Sequence, residues 1–359
     1  MEKETHMKTL KKLLKIVPLL AAAYGTSAQA LEVKFNYDPN MDARALAGFQ
    51  AAADRWSAVL HDKVTVNLNI GFSQLGPGIL GSTGSTRGTV SYDTFRDALA
   101  ADAWGKTDRA AVAGLNKNSC LNVLMNGTGV NPNGVGSATP FLDNNCNANN
   151  STIRLTTANA RALNLLDANN PLVDGSVSFS TAFQWDFDPS DGITTGYFDF
   201  IGVAAHEIGH ALGFVSGVDT LDLNRDGAFS DAAFTYIAPT DLFRCSELSK
   251  AKGADLDWSA DNRTKYFSLD NCNTALATFS EGRTFGDGQQ ASHWKDNMHY
   301  GLLDPTAARG ELLDISKLDL QMFDAIGWNV IPEPASVALF GFGAAGLAAA
   351  RRRRTAKQA

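Results

Sequence analysis

The chain has 359 residues, of which 44% are hydrophobic, 19% charged and 9% aromatic, a globular composition that excludes disorder, collagen and coiled coil. Its formal net charge of -7 hides an asymmetry: ten of the 31 Lys and Arg lie in residues 1–30 and 351–359, which leaves 21 basic against 35 acidic residues in 31–330, a net charge of about -14. A body that acidic is a poor partner for nucleic acid, and no central stretch reaches the ~20 apolar residues that a membrane-spanning helix requires.

The first thirty residues have the order of a secretory signal. Lys8, Lys11, Lys12 and Lys15 precede an apolar run from Ile16 to Ala23, and Ala28-Gln29-Ala30 is a small-residue cleavage site, so the mature chain begins near Leu31. From Asp42, the residues Leu46, Phe49, Ala53, Trp56 and Leu60 recur at steps of three and four, the mark of an amphipathic helix. Val64, Val66, Leu68, Ile70 and Phe72 then alternate with Thr65, Asn67 and Asn69 as a half-buried strand. Glycines at 71, 76, 78, 81, 84 and 88 predict a long loop. Thr152 to Thr157 reads as a strand leading into a helix through Ala158–Leu166, and Ser176 to Phe183 alternates in the manner of a sheet edge. Phe198 to Phe214 is a continuous apolar stretch long enough for a buried helix. Ser316, with Asp319 three residues on, opens a last helix whose apolar face is Leu318, Met322, Ala325 and Ile326, and Gly327 stops it. Residues 31–330 therefore read as a single α+β domain with a long, irregular C-terminal part.

Four cysteines remain after the signal: Cys120, Cys146, Cys245 and Cys272. An even count in an exported chain predicts two disulfides. Of the three connectivities, Cys120–Cys146 with Cys245–Cys272 is favoured, because each pair brackets a polar, Asn-rich or Asp-rich loop of similar length.

The chemistry concentrates in the buried helix, at His206-Glu207-Ile208-Gly209-His210. Residues four apart share a helical face, so both imidazoles can reach one metal while Glu207 projects beside them. Zinc suits two neutral imidazoles, a further ligand and a water, whose proton Glu207 would take as general base before returning it to the leaving amine. Three such side chains on an otherwise apolar helix would be costly without a metal or partners. In the pattern H-E-x-x-H-x-x-G-x-x-H, Gly213 stands where the helix must end, but the last position holds Ser216, a poor zinc ligand. The third ligand is then sought among Asp219, His293 and His299; His61 comes after the first helix at a surface turn and reads as structural. Asp222-Leu223-Asn224-Arg225-Asp226-Gly227 places oxygen side chains at alternate positions before a glycine, as calcium loops do. The bidentate Glu of an EF-hand is replaced by Ala233, so Asp222, Asn224 and Asp226 predict at most a non-EF calcium site completed by Asp231 or Asp219.

Ala291-Ser292-His293-Trp294, then Gly301-Leu302-Leu303-Asp304-Pro305 and the final helix ending Ile326-Gly327-Trp328, resemble leishmanolysin-type metzincins and their bacterial relatives. The resemblance spans roughly 198–328 and implies a zincin fold: a twisted mixed sheet, an active-site helix and an irregular C-terminal subdomain. It makes His293 the third zinc ligand beside His206 and His210, and puts Leu303 where the family has a methionine beneath the metal. The activity it implies is that of a zinc metalloendopeptidase acting on protein or peptide substrates, held along an edge strand expected at Ser176–Phe183. Two other readings are a surface or matrix binding protein with a structural zinc, which has no need of Glu207, and a zinc hydrolase of non-peptide amides or esters.

Beyond the domain, Pro332-Glu333-Pro334 precedes sixteen mostly small or apolar residues, Ala335 to Ala350, and then Arg351 to Arg354. The run is short for a bilayer, and the arginines would stop transfer on the cytoplasmic side. Residues 331–359 resemble the PEP-CTERM sorting signal of Gram-negative bacteria. That likeness implies export, transient anchoring, removal of the tail by a dedicated membrane protease, and release or retention at the cell surface or matrix.

Overall fold

The computed structural model describes residues 31–224 and 226–330; the signal and sorting segments expected at 1–30 and 331–359 lie outside them. Strand β1 (Glu32–Asn36) leads into helix α1 (Ala43–Ser57), which Asp42 caps by accepting from the Arg44 N–H, and whose buried stripe is Ala45, Phe49, Ala52, Ala53 and Trp56. Strand β2 (Thr65–Ser73) comes next, with Val66, Leu68 and Ile70 turned inward; Phe72, at its end, is partly exposed but stacks on Phe200. The Gly-rich segment is not the loop that its glycines predict. It folds into β3 (Gly81–Ser85) and β4 (Arg87–Ser91), because paired backbone hydrogen bonds do not need apolar alternation when the neighbouring strand supplies the core face.

Two helices come after it that the apolar spacing does not announce, α2 (Tyr92–Asp102) and α3 (Lys106–Gly114), and then the short strands β5 (Val123–Met125) and β6 (Phe141–Asp143). Strand β7 (Thr152–Thr156) pairs antiparallel with β4 and runs into a helix, α4 (Thr157–Ala162), that is shorter than expected. Asn164, at positive φ, turns the chain away there. Strand β8 (Gly175–Ser180) completes a four-stranded mixed sheet in the order β1-β2-β8-β3, with β1, β2 and β8 parallel and β3 antiparallel to β8. The edge is therefore not at Ser176–Phe183, where alternation places it. The sheet buries β8 between β2 and β3 and leaves β3 at the edge.

Helix α5 (Phe200–Leu212) packs on α1 under this sheet. The Trp56 indole N–H donates to the Ala205 carbonyl at 2.8 Å, and Phe49 and Phe179 meet Phe200 at ring-centroid distances of 5.1 and 4.5 Å. From 213 to 316 the chain is mostly loops, short helical turns and small sheets, and it ends in α6 (Lys317–Ala325) with Ser316 and Asp319 in the expected capping box. The main apolar core of the described residues extends from Leu31 to Trp328 through sheet, helices and this irregular part, with a small separate cluster of Cys245, Tyr266 and Cys272. The architecture is α+β with several small sheets.

Both disulfides have the favoured connectivity, Cys120–Cys146 and Cys245–Cys272, each with Cα atoms 5.4 Å apart. The second closes a loop with a sequence separation of 27. Removing it by Cys245→Ser together with Cys272→Ser should cost about 3.5 kcal/mol, the loop-closure entropy returned to the unfolded chain, read as a lower denaturant midpoint with a somewhat steeper slope as the unfolded chain expands.

Candidate metal centre

Helix α5 begins where the Asp199 carboxylate accepts from the Gly202 N–H at 2.8 Å, and it ends at Gly213, whose φ of 133° is closed to residues with a Cβ. These two limits place His206, Glu207 and His210 on the helix's last two turns, and the chain leaves sharply after Gly213. Ser216, at the position of the short pattern's last histidine, turns away and donates to Asp241 at 2.6 Å.

The third imidazole arrives from 83 residues beyond His210. The Nε2 atoms of His206, His210 and His293 lie 3.0, 3.1 and 3.3 Å from one another. Each Nδ1 faces a backbone carbonyl: Leu302 for His206 at 2.8 Å, Phe214 for His210 at 2.6 Å and Gln290 for His293 at 3.3 Å. A carbonyl only accepts, so the proton of each neutral ring sits on Nδ1 and three Nε2 lone pairs converge without a hydrogen to share. Three nitrogens bound to one tetrahedral zinc at ~2.0–2.1 Å would themselves be about 3.3 Å apart, so the donor set fits that metal. Burial pushes His210 down to about 3, helped by its neighbour His206, and depresses His293 well below the usual imidazole range, so both rings stay neutral and ready to ligate.

Glu207 is buried, and burial raises its carboxyl above the usual range against the opposing effects of His206 and of a hydrogen bond from Thr83. The Thr83 hydroxyl, on edge strand β3, lies 2.7 Å from Glu207 Oε2 and 2.9 Å from the Glu207 carbonyl, while Ser85 donates to the His210 carbonyl at 3.1 Å. A Cβ at Gly81 would stand 2.6 Å from Glu207 Oε1. The edge strand therefore lies directly on the helix that carries the site, and only glycine fits where it crosses the carboxylate.

Two aspartates tie the distant imidazole of His293 into place. Asp219 accepts from the Ala291 N–H at 2.6 Å and bonds the Ser292 side chain, fixing the two residues before His293; burial pushes its carboxyl up to about 6. Asp319, the partner of Ser316 in the capping box of α6, accepts from the Trp294 indole N–H at 2.8 Å and from the Leu302 and Leu303 N–H groups at 2.7 and 3.3 Å. It thus joins the neighbour of His293 to the carbonyl that orients His206. Leu303 is fully buried and lies 3.4 Å from where a Cβ of Gly209 would stand, beneath the helix between its two histidines.

Of the other candidates, His61 and His299 are exposed and stand apart from the triad, and Asp219 binds the loop before His293 without joining the triad. Among the described residues, the three histidines are the one group of three or more His, Cys, Asp or Glu close enough to share an ion. The expected calcium loop is used differently. Asp222 accepts from the Thr284 and Phe285 N–H groups at 2.6 and 2.9 Å, the Asn224 amide donates to the Gly127 carbonyl at 2.8 Å, and Asp226 accepts from the Ala228 N–H at 3.0 Å. Asp231 takes the amides of Asn145 and Asn147. These bonds make the loop a clamp between segments, and among the described residues its aspartates do not gather into a group of three close enough to share an ion.

Thr83, Gly81 and Asp319 are parts of the site that the sequence does not mark as such. The first two lie in a segment without apolar periodicity, and Asp319 carries only a helix-capping signal. Residues 330–354 match the PEP-CTERM protein-sorting motif, which marks an exported protein with a C-terminal sorting signal typical of Gram-negative bacteria. No curated protein and no solved structure matches the chain.

Proposed function

We propose that this exported chain is a zinc-dependent metalloendopeptidase with a zincin-like plan, related to the leishmanolysin type. The observation that carries the reading is the convergence of three Nε2 atoms, 3.0 to 3.3 Å apart, from imidazoles whose Nδ1 atoms are held by carbonyls. His206, His210 and His293 would hold the metal, and zinc bound there would activate water and polarise a carbonyl. Thr83 holds Glu207 Oε2, which leaves Oε1 to take the proton of the attacking water and to return it to the leaving nitrogen. The raised affinity of this buried carboxyl for a proton suits the role.

The substrate reading comes from β3. Its outer edge is unpaired in the sheet, and its inner face touches Glu207 and the helix at His210. An extended peptide pairing along that edge would pass the triad with its backbone hydrogen-bonded, a geometry that favours peptides over small amides or esters. A purely structural zinc would have a fourth protein ligand; among the described residues no His, Cys, Asp or Glu joins the three histidines, which leaves a coordination position for reactants.

The test is metal analysis of the purified chain with digestion of an unfolded protein substrate. About one zinc per chain is expected, with proteolysis abolished by a chelator and restored by zinc. A chain that binds no zinc at equimolar metal would overturn the reading.

A further inference from the structure

Of the six tryptophans, five are buried and Trp104 is 59% exposed. It stands in the turn between α2 and α3, and the turn is firmly built. The Asp108 carboxylate accepts from the N–H groups of Trp104 and Gly105, and Arg109 donates to the Trp104 carbonyl at 2.8 Å. The same cluster receives the end of the folded body. The Asp324 carboxyl bonds Asp108 and the Val330 backbone, while Asn329 gives its amide to Asp102 at 3.2 Å and its N–H to Asp62 at 2.8 Å. Trp104 and Val330 are thus brought close together through the Asp108 and Asp324 carboxyls, which bond one another.

The face lies close to the start of the sorting tail. From Val330 to Ala335, the first residue of the sixteen-residue apolar run, the backbone can extend at most about 17 Å. With the run in a bilayer and Arg351–Arg354 at its far side, the face around Val330 cannot stand farther than that from the lipid surface.

We propose that Trp104, with Lys106 and Arg109, forms a membrane-contact surface that rests on lipid headgroups while residues 335–350 occupy the bilayer. An indole with an apolar body and a donating N–H is at its most favourable at the boundary of hydrocarbon and headgroup. The exposed charged side chains next along the chain, Lys106 and Arg109, are cations, complementary to anionic lipid although the body as a whole is acidic. The nearby carboxylates are engaged by amide donors: Asp62 and Asp102 by Asn329, Asp108 by the turn. Burial, reinforced by the neighbouring carboxyls, raises Asp102 to about 6 and Asp324 to about 7, which lessens the negative charge brought to the lipid.

Trp104 is its own reporter, since the buried indoles respond little to external quenchers. The full chain is reconstituted in vesicles of phosphatidylethanolamine and phosphatidylglycerol with bromine on the upper acyl carbons, and its emission is compared with that of Trp104→Phe, whose melting curve checks that it folds. The component missing from the variant is expected to be blue-shifted, quenched by the brominated lipid and protected from aqueous iodide. If that component is quenched by iodide and untouched by brominated lipid in a chain that sediments with the vesicles, the face looks into water and the proposal fails. Protection from both quenchers would assign the face to a protein neighbour and overturn it equally, as would a chain that does not associate with the vesicles.

Discussion

Glu207→Gln should leave the zinc content of the chain unchanged and lower peptide hydrolysis by about 10²–10⁴-fold, the range in which a positioned general base contributes. The two halves of this result come from different atoms. The metal would rest on the Nε2 atoms of His206, His210 and His293, and those rings are oriented by the carbonyls of Leu302, Phe214 and Gln290, none of which depends on Glu207. The amide is nearly isosteric with the carboxyl and can still accept from Thr83 through its oxygen, so the contact between β3 and α5 is kept. What it cannot do is take a proton. Loss in kcat with little change in KM is the expected pattern, because the group acts on the reacting atoms and the peptide would be held by the edge of β3. Undiminished proteolysis by the variant, at full zinc occupancy, would remove Glu207 from the mechanism.

The helix and its histidines are legible in the sequence because their signals are local. An H-E-x-x-H spacing needs one helical face, and Gly213 marks the end of the helix; its N-cap, Asp199, falls inside the stretch from Phe198 that the sequence reads as helical. The capping box at Ser316 and Asp319 is likewise a matter of three residues. The edge strand is not legible: Gly81-Ser82-Thr83-Gly84-Ser85 has neither apolar alternation nor β-branched density, and it is a strand because β8 offers it a ladder. Placing the edge at Ser176–Phe183 has the same origin, since alternation marks one buried face and cannot count the neighbours on either side. In α2 the apolar side chains that anchor the helix are few, with Tyr92, Phe95 and Leu99 buried along it, and a glycine-rich approach obscures its start. The functions of Asp219 and Asp319 are set by partners that are 72 and 16 to 25 residues away, and no window along the chain contains both ends of such a bond.

His293→Ala should weaken zinc binding more than a hundredfold, whereas His299→Ala and His61→Ala should leave it unchanged. Removing one of three nitrogens leaves two histidines on a single helix, and the other ligand candidates of this region are already committed: Ser216 to Asp241, and Asp219 to Ala291 and Ser292. A change in a group that only orients a ligand typically costs about 10–100-fold in affinity, so outright loss of the ligand should exceed that range. Asp219→Ala supplies the internal calibration. It leaves all three imidazoles in the chain but frees the two residues before His293, and its loss should fall within the 10–100-fold range. Competition with a chelator of known affinity orders the variants, and the melting temperature checks the order, because a metal that binds the folded state stabilises by mass action and each weakened site should gain less from added zinc. Were His293→Ala to bind zinc as the parent does while Asp219→Ala did not, the carboxylate would be the third ligand and the hydrogen bond to Ala291 would have to break on loading. The geometry argues the other way: Asp219 is satisfied by its loop partners, and the Nε2 of His293 faces the two nitrogens it would join.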